Sequence, residues 1–129
     1  MTDYTQQKIS DFADTLSTLE EVVLLQNPSQ LEKDGALQRF EYCFELAWKC
    51  LKLVLEARGV TPINSPKVAF TQGYLNQLLE DEPLWLTILA YRNKSVHTYD
   101  HELAEVVFDR IPEFYRAMHH LLVCLQREV

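Results

Sequence analysis

Residues 37–54, LQRFEYCFELAWKCLKLV, carry the reading that decides the fold. Their apolar positions Leu37, Phe40, Phe44, Ala47, Leu51 and Val54 recur every three or four residues, which is the period of one face of an α-helix and not the alternation of a strand. The pattern extends to a helix from about Gln30 to Arg58, and Gly59 supplies the stop after it. Trp48, Leu46 and Leu53 fall off the stripe. A helix that is apolar on more than one face belongs at the centre of a fold or at an interface.

The same period continues on either side. Ile9, Phe12, Leu16, Leu19 and Val23 line a helix from about Thr5 to Leu25, ended by the turn Asn27-Pro28-Ser29. Ser65-Pro66 is an N-cap followed by proline at the first helical position, and Gly73 closes a short helix after about two turns. A fourth helix opens near Asp81-Glu82-Pro83 and carries Leu84, Trp85, Ile88 and Leu89 toward YRNKSVHTYD, residues 91–100. Asp100 is the expected N-cap of a last helix whose face runs through Leu103, Val107, Ile111, Phe114, Met118, Leu121 and Leu125, with a kink at Pro112. The expected fold class is all-α: an up-and-down helical bundle of four long helices plus one short helix, forming a single domain over residues 1–129.

Composition supports a real core, since 47% of the chain is hydrophobic and 11% aromatic. Twelve Lys and Arg against nineteen Asp and Glu leave a net charge of -7, so the surface as a whole repels phosphate backbones and any nucleic-acid contact must be local. Cys43, Cys50 and Cys124 are odd in number, form no C-x-x-C pair and sit among apolar residues, which reads as reduced core thiols in a cytoplasmic protein. No apolar run approaches the roughly 18 residues of a membrane span, and MTDYTQQK lacks the apolar centre of a signal peptide. The expected localisation is therefore cytoplasmic, with no membrane partner.

Several chemistries are missing from the residues. Gly35, Gly59 and Gly73 stand alone, so there is neither a P-loop nor a dinucleotide fingerprint. The Gly-Ser pair and paired aspartates of a nucleotidyltransferase are also absent, so the chain is not itself one. His97 and His101 are four apart but separated by the expected cap at Asp100, and His119 and His120 are neighbours that point to different faces. No metal site or cofactor is expected.

One constellation remains. Arg92, Asn93, Lys94, His97 and Tyr99 put two cations and an imidazole within about two helical turns of an otherwise acidic chain. An Arg fork clamps phosphate, and an imidazole with a pKa of about 6.5 moves a proton at neutral pH. Those roles suffice for metal-free RNA cleavage, in which a base takes the 2′-hydroxyl proton and a cation stabilises the phosphorane. One helix offers only one such pair, which favours a homodimer with its two-fold axis near His97. The plain structural alternative pairs Arg92 with a carboxylate such as Asp100 or Glu102, while His97 and Tyr99 finish a helix end. An Arg followed five to seven places later by His arises by chance about half the time in such a composition, whereas adding Tyr two places after the His lowers this to a few per cent.

The stretch 34–49, DGALQRFEYCFELAWK, resembles the signature second helix of the nucleotidyltransferase substrate-binding protein family, within the HEPN superfamily. Arg92-Asn93 to His97-Thr98-Tyr99 matches that family's R-N-x-x-x-H-x-Y pattern, and the likeness covers nearly the whole chain. The resemblance implies a helical-bundle homodimer working with a separate minimal nucleotidyltransferase in trans. It further implies a metal-independent RNase toxin in which Arg92 stabilises the scissile phosphate, His97 is the acid/base and Asn93 assists. Lys94 would add to phosphate binding, and the transferase would silence the chain by attaching AMP to Tyr99. The alternative is a non-catalytic subunit that binds nucleotide or substrate for the transferase. The aromatics of the signature helix are open to two uses, core packing or an interface, and Glu45 with Lys49 is an i,i+4 pair suited to plain helix support.

Overall fold

The computed structural model describes residues 2–95 and 101–129. Within them the chain forms five helices and no strand: α1 (Asp3–Val23), α2 (Gln30–Ala57), α3 (Pro66–Leu75), α4 (Glu82–Ser95) and α5 (His101–Gln126). Four are long and α3 is short, as the periodicity requires.

Local chemistry sets the helix ends. Thr2 caps α1, its hydroxyl accepting from the Thr5 N–H at 3.2 Å. Ser29, read from sequence as the end of a turn, also starts α2: its hydroxyl accepts from the Glu32 N–H at 3.1 Å while the Glu32 carboxylate accepts from the Ser29 N–H at 2.9 Å. This reciprocal pair satisfies two of the donors that every helix start leaves open. Ser65 and Pro66 open α3 as expected, and the Asp81 carboxylate accepts from Leu84 N–H at 3.0 Å at the start of α4. Gly59 ends α2 with φ at +85°, a conformation that costs glycine nothing. The expected cap Asp100 lies outside the described residues. α5 runs as one helix through Pro112.

Gly73 corrects the sequence reading. It does not stop α3, which continues to Leu75; instead it is buried against α2, where a Cβ would stand 2.9 Å from Leu51 Cδ2. Its smallness sets how closely the two helices approach.

α2 is the central helix, packed against each of the other four. Phe40, Phe44, Ala47, Leu51 and Val54 are fully buried, and Cys43, Cys50 and Leu55 broaden the buried face beyond the stripe. An aromatic seam crosses the bundle: Phe44 meets Phe70 edge-on at 5.8 Å and Phe70 meets Trp85 at 4.9 Å, fastening α3 and α4 to α2. Phe40 stacks on Phe114 at 5.7 Å and joins α5. Ring pairs at these separations add about 0.5–1.5 kcal/mol each beyond their buried area. Cys43 and Cys50 are core thiols, both pushed up to about 12 by burial. Cys124 departs from the expectation, being only partly buried near the end of α5, because it sits one turn after the exposed His120. Among the described residues no helix is long and apolar enough to cross a membrane.

Candidate functional site

The last turn of α4 carries Arg92, Asn93, Lys94 and Ser95. Two cations in the last turn of a helix suit the partial negative charge of its C-terminal end. Asn93 and Lys94 are exposed, while the Arg92 side chain retains 24% exposure. His97 and Tyr99 lie outside the described residues, so the geometry available for the motif is that of its N-terminal half.

Arg92 is held from three sides. An Nη2 hydrogen is donated to Glu45 Oε1 on α2. Nη1 donates to Asn93 Oδ1 at 3.3 Å. The guanidinium carbon lies over Phe44, 5.0 Å from the ring centroid, a cation–π contact favoured by the weakly hydrated character of arginine. Glu45 is itself anchored along its own helix: its Oε2 accepts from Trp48 Nε1 at 3.3 Å and lies 3.5 Å from Lys49 Nζ.

A second carboxylate, one turn earlier on α2, reaches the same helix end. Ser95 Oγ lies 2.7 Å from Glu41 Oε1 and 2.8 Å from the Arg92 carbonyl oxygen, donating to one or the other. Glu41, Glu45 and Lys49 are spaced i, i+4, i+8, so they share one edge of α2. That edge meets the last turn of α4. Lys94 Nζ sits 5.6 Å above the Tyr91 ring, and Arg110 of α5 covers the same ring at 5.6 Å.

Three features were beyond sequence reasoning. Among the described residues, the carboxylate found on Arg92 belongs to Glu45, 47 positions away, while Asp100 lies outside them. Glu45 does pair with Lys49 as the spacing suggested, but the pair also braces Arg92. The off-stripe residues Leu46 and Trp48 rest partly on the core, while Tyr42 is 55% exposed. The available signal was the acidic i,i+4 repeat Glu41/Glu45 inside an aromatic helix, which gives no hint of its long-range partner.

The family model described as nucleotidyltransferase substrate binding protein like matches residues 7–127. The chain belongs to this family. A crystal structure of a protein from Thermus thermophilus superposes with a TM-score of 0.82 at 37% identity, covering 88% of this chain and 98% of that one. A Haemophilus influenzae structure, described as revealing the fold of a substrate binding domain of a nucleotidyltransferase, gives a TM-score of 0.79 at 25% identity over 92% of this chain and 98% of that one. The Haemophilus influenzae protein named "Probable ribonuclease HepT" is 30% identical over 84 residues, which are 62% of this chain and 58% of that relative. The stretch 34–49 on α2 and the Arg92-Asn93 start of the second motif meet in space through Glu45, Phe44 and Arg92.

Proposed function

We propose that the chain is a HEPN-type partner of a separate minimal nucleotidyltransferase and acts as a metal-independent endoribonuclease toxin, silenced when the transferase attaches AMP to Tyr99. The observation that carries this reading is Arg92, a guanidinium immobilised on a ring and a carboxylate beside exposed Asn93 and Lys94, five residues before His97. The ribonuclease name of the Haemophilus relative supports the reaction class, and the family description supports the transferase partner.

In this reading His97 takes the proton of a ribose 2′-hydroxyl. The 2′-oxygen attacks the adjacent phosphorus, and Arg92, assisted by Asn93 and Lys94, stabilises the charge of the phosphorane. The P–O5′ bond breaks, leaving a 2′,3′-cyclic phosphate and a 5′-oxygen that is protonated by an acid from a second copy of the chain. A homodimer with the motifs facing one another supplies that acid, and light scattering at micromolar concentration should report twice the 15.1 kDa chain mass.

Cleavage of a mixed-sequence RNA by the purified chain in EDTA tests the reading. Arg92→Ala and His97→Ala should each abolish cleavage with the helical circular dichroism unchanged, and the products should carry cyclic phosphate ends. A chain that binds nucleotide tightly and cleaves no RNA would replace this reading with that of a non-catalytic substrate-binding subunit, in line with the Haemophilus structure described as a substrate binding domain of a nucleotidyltransferase.

A further inference from the structure

The geometry points to Glu45 as the positioning residue of Arg92, an inference that rests on the nuclease reading for its catalytic consequence but not for its structural one. An arginine side chain has several rotatable bonds, and an anion site built on it works only if the guanidinium already faces the phosphate when substrate arrives. Phe44 lies beneath the guanidinium carbon, but a ring face offers no directional acceptor that would fix the orientation of the N–H groups. Glu45 Oε1 is that acceptor.

The carboxylate is braced from its other oxygen, which lies 3.3 Å from Trp48 Nε1 and 3.5 Å from Lys49 Nζ, both on α2. The orientation of Arg92 is thereby referred to the central helix of the bundle, whose neighbouring residue Phe44 is fully buried. A guanidinium carries five N–H donors in a rigid fork. Glu45 and Asn93 engage one hydrogen on each Nη, and in the nuclease reading an oxyanion takes others of the five. Lys49 offsets the charge that Glu45 brings, which keeps the carboxylate from repelling a phosphate at the same site. Glu41 adds to the arrangement by holding Ser95 in the same final turn.

The test uses the full chain with Glu45→Ala, Glu45→Gln and the double variant Trp48→Phe/Lys49→Ala. Two measurements are read. The first is the nitrogen NMR spectrum of the Arg92 guanidinium, in which slowed rotation about Nε–Cζ separates the two Nη signals. We expect separate signals in the unmodified chain and in Glu45→Gln, whose amide oxygen still accepts from Nη2, and averaged signals in Glu45→Ala. The second is steady-state cleavage of a short RNA. Glu45→Ala should lower kcat by about ten-fold or more with KM changed less than about two-fold, Glu45→Gln should recover most of the loss, and the double variant should fall between. A merely structural role would leave the glutamine rescue and the kcat-against-KM split without a cause. Unchanged Arg92 signals in Glu45→Ala overturn the inference, as does a rise in cleavage, which would make Glu45 a competitor of the phosphate. If Glu45→Ala does not fold, the double variant decides by the same two readings. A chain inactive on RNA in every form removes the nuclease reading, and the guanidinium signals then decide the positioning role alone.

Discussion

The guanidinium of Arg92 rests 5.0 Å from the ring centroid of Phe44, so one side chain serves the core and the candidate site together. The same ring meets Phe70 edge-on at 5.8 Å. A change at this position therefore travels in both directions. Phe44→Leu keeps most of the apolar volume but removes the π face, and we expect a stability loss of about 1–2 kcal/mol in urea denaturation. Phe44→Ala should cost about 3–5 kcal/mol. Equal costs for the two variants would show that buried volume contributes nothing beyond the ring face.

Two glycines inside helices should respond oppositely to substitution. Nothing stands within 4 Å of a Cβ at Gly35 in α2, so Gly35→Ala should stabilise the chain by about 0.5–1 kcal/mol through helix propensity. At Gly73 a Cβ meets Leu51 Cδ2 at 2.9 Å and Leu79 Cδ2 at 3.1 Å. Both neighbours are buried, and Gly73→Val should destabilise by about 1–3 kcal/mol. A thermal melt of each variant checks the signs, and a stabilised Gly73→Val chain would refute the spacer role.

Stability should fall at alkaline pH. Burial pushes the Cys43 and Cys50 thiols from the ordinary 9.0 to about 12. Burial, followed by the 2.7 Å hydrogen bond that its hydroxyl donates to Glu20, pushes Tyr115 from 10.0 to about 12. Between these values the unfolded chain has released protons that the folded chain keeps. The stabilisation is thus complete below about pH 9 and is lost as pH rises toward 12. Urea midpoints at pH 7, 9 and 10.5 should decline in that order, and Cys43→Ala with Cys50→Ala should flatten the slope. Thiol-specific reagents at pH 8 should label Cys124 in the native chain and the other two only after unfolding.

Modification of Tyr99 should block the candidate site. An AMP group there would bring a phosphate near Arg92 and Lys94 and occupy the place proposed for the RNA backbone. Co-expression with the partner transferase and ATP should add the mass of one or more AMP units to the peptide containing Tyr99, while Tyr99→Phe remains unmodified and toxic. Neutralisation without any adduct would mean that the partner inhibits by binding alone.

Residues 37–54 and their neighbours determined the helices by themselves, because helix formation follows from spacing and capping within a few residues: the stripe of α2, the Ser65-Pro66 start of α3 and the Gly59 stop are all local events. The motif from Arg92 to Tyr99 was likewise legible, since residue types in order mark candidate chemistry without any fold. Which carboxylate meets Arg92 was decided only by tertiary structure. The rotation of α4 against α2 is set by Trp85 and Phe70 packing behind Phe44, and a helix turn of a single residue would carry Glu45 about 100° away from the guanidinium. Gly73 shows the same division, for glycine after two helical turns reads locally as a stop, whereas the nearness of Leu51 makes it a spacer within α3. Side-chain contacts between distant segments depend on the register in which whole helices pack, and that register arises from the summed fit of the core and from no short stretch of the chain.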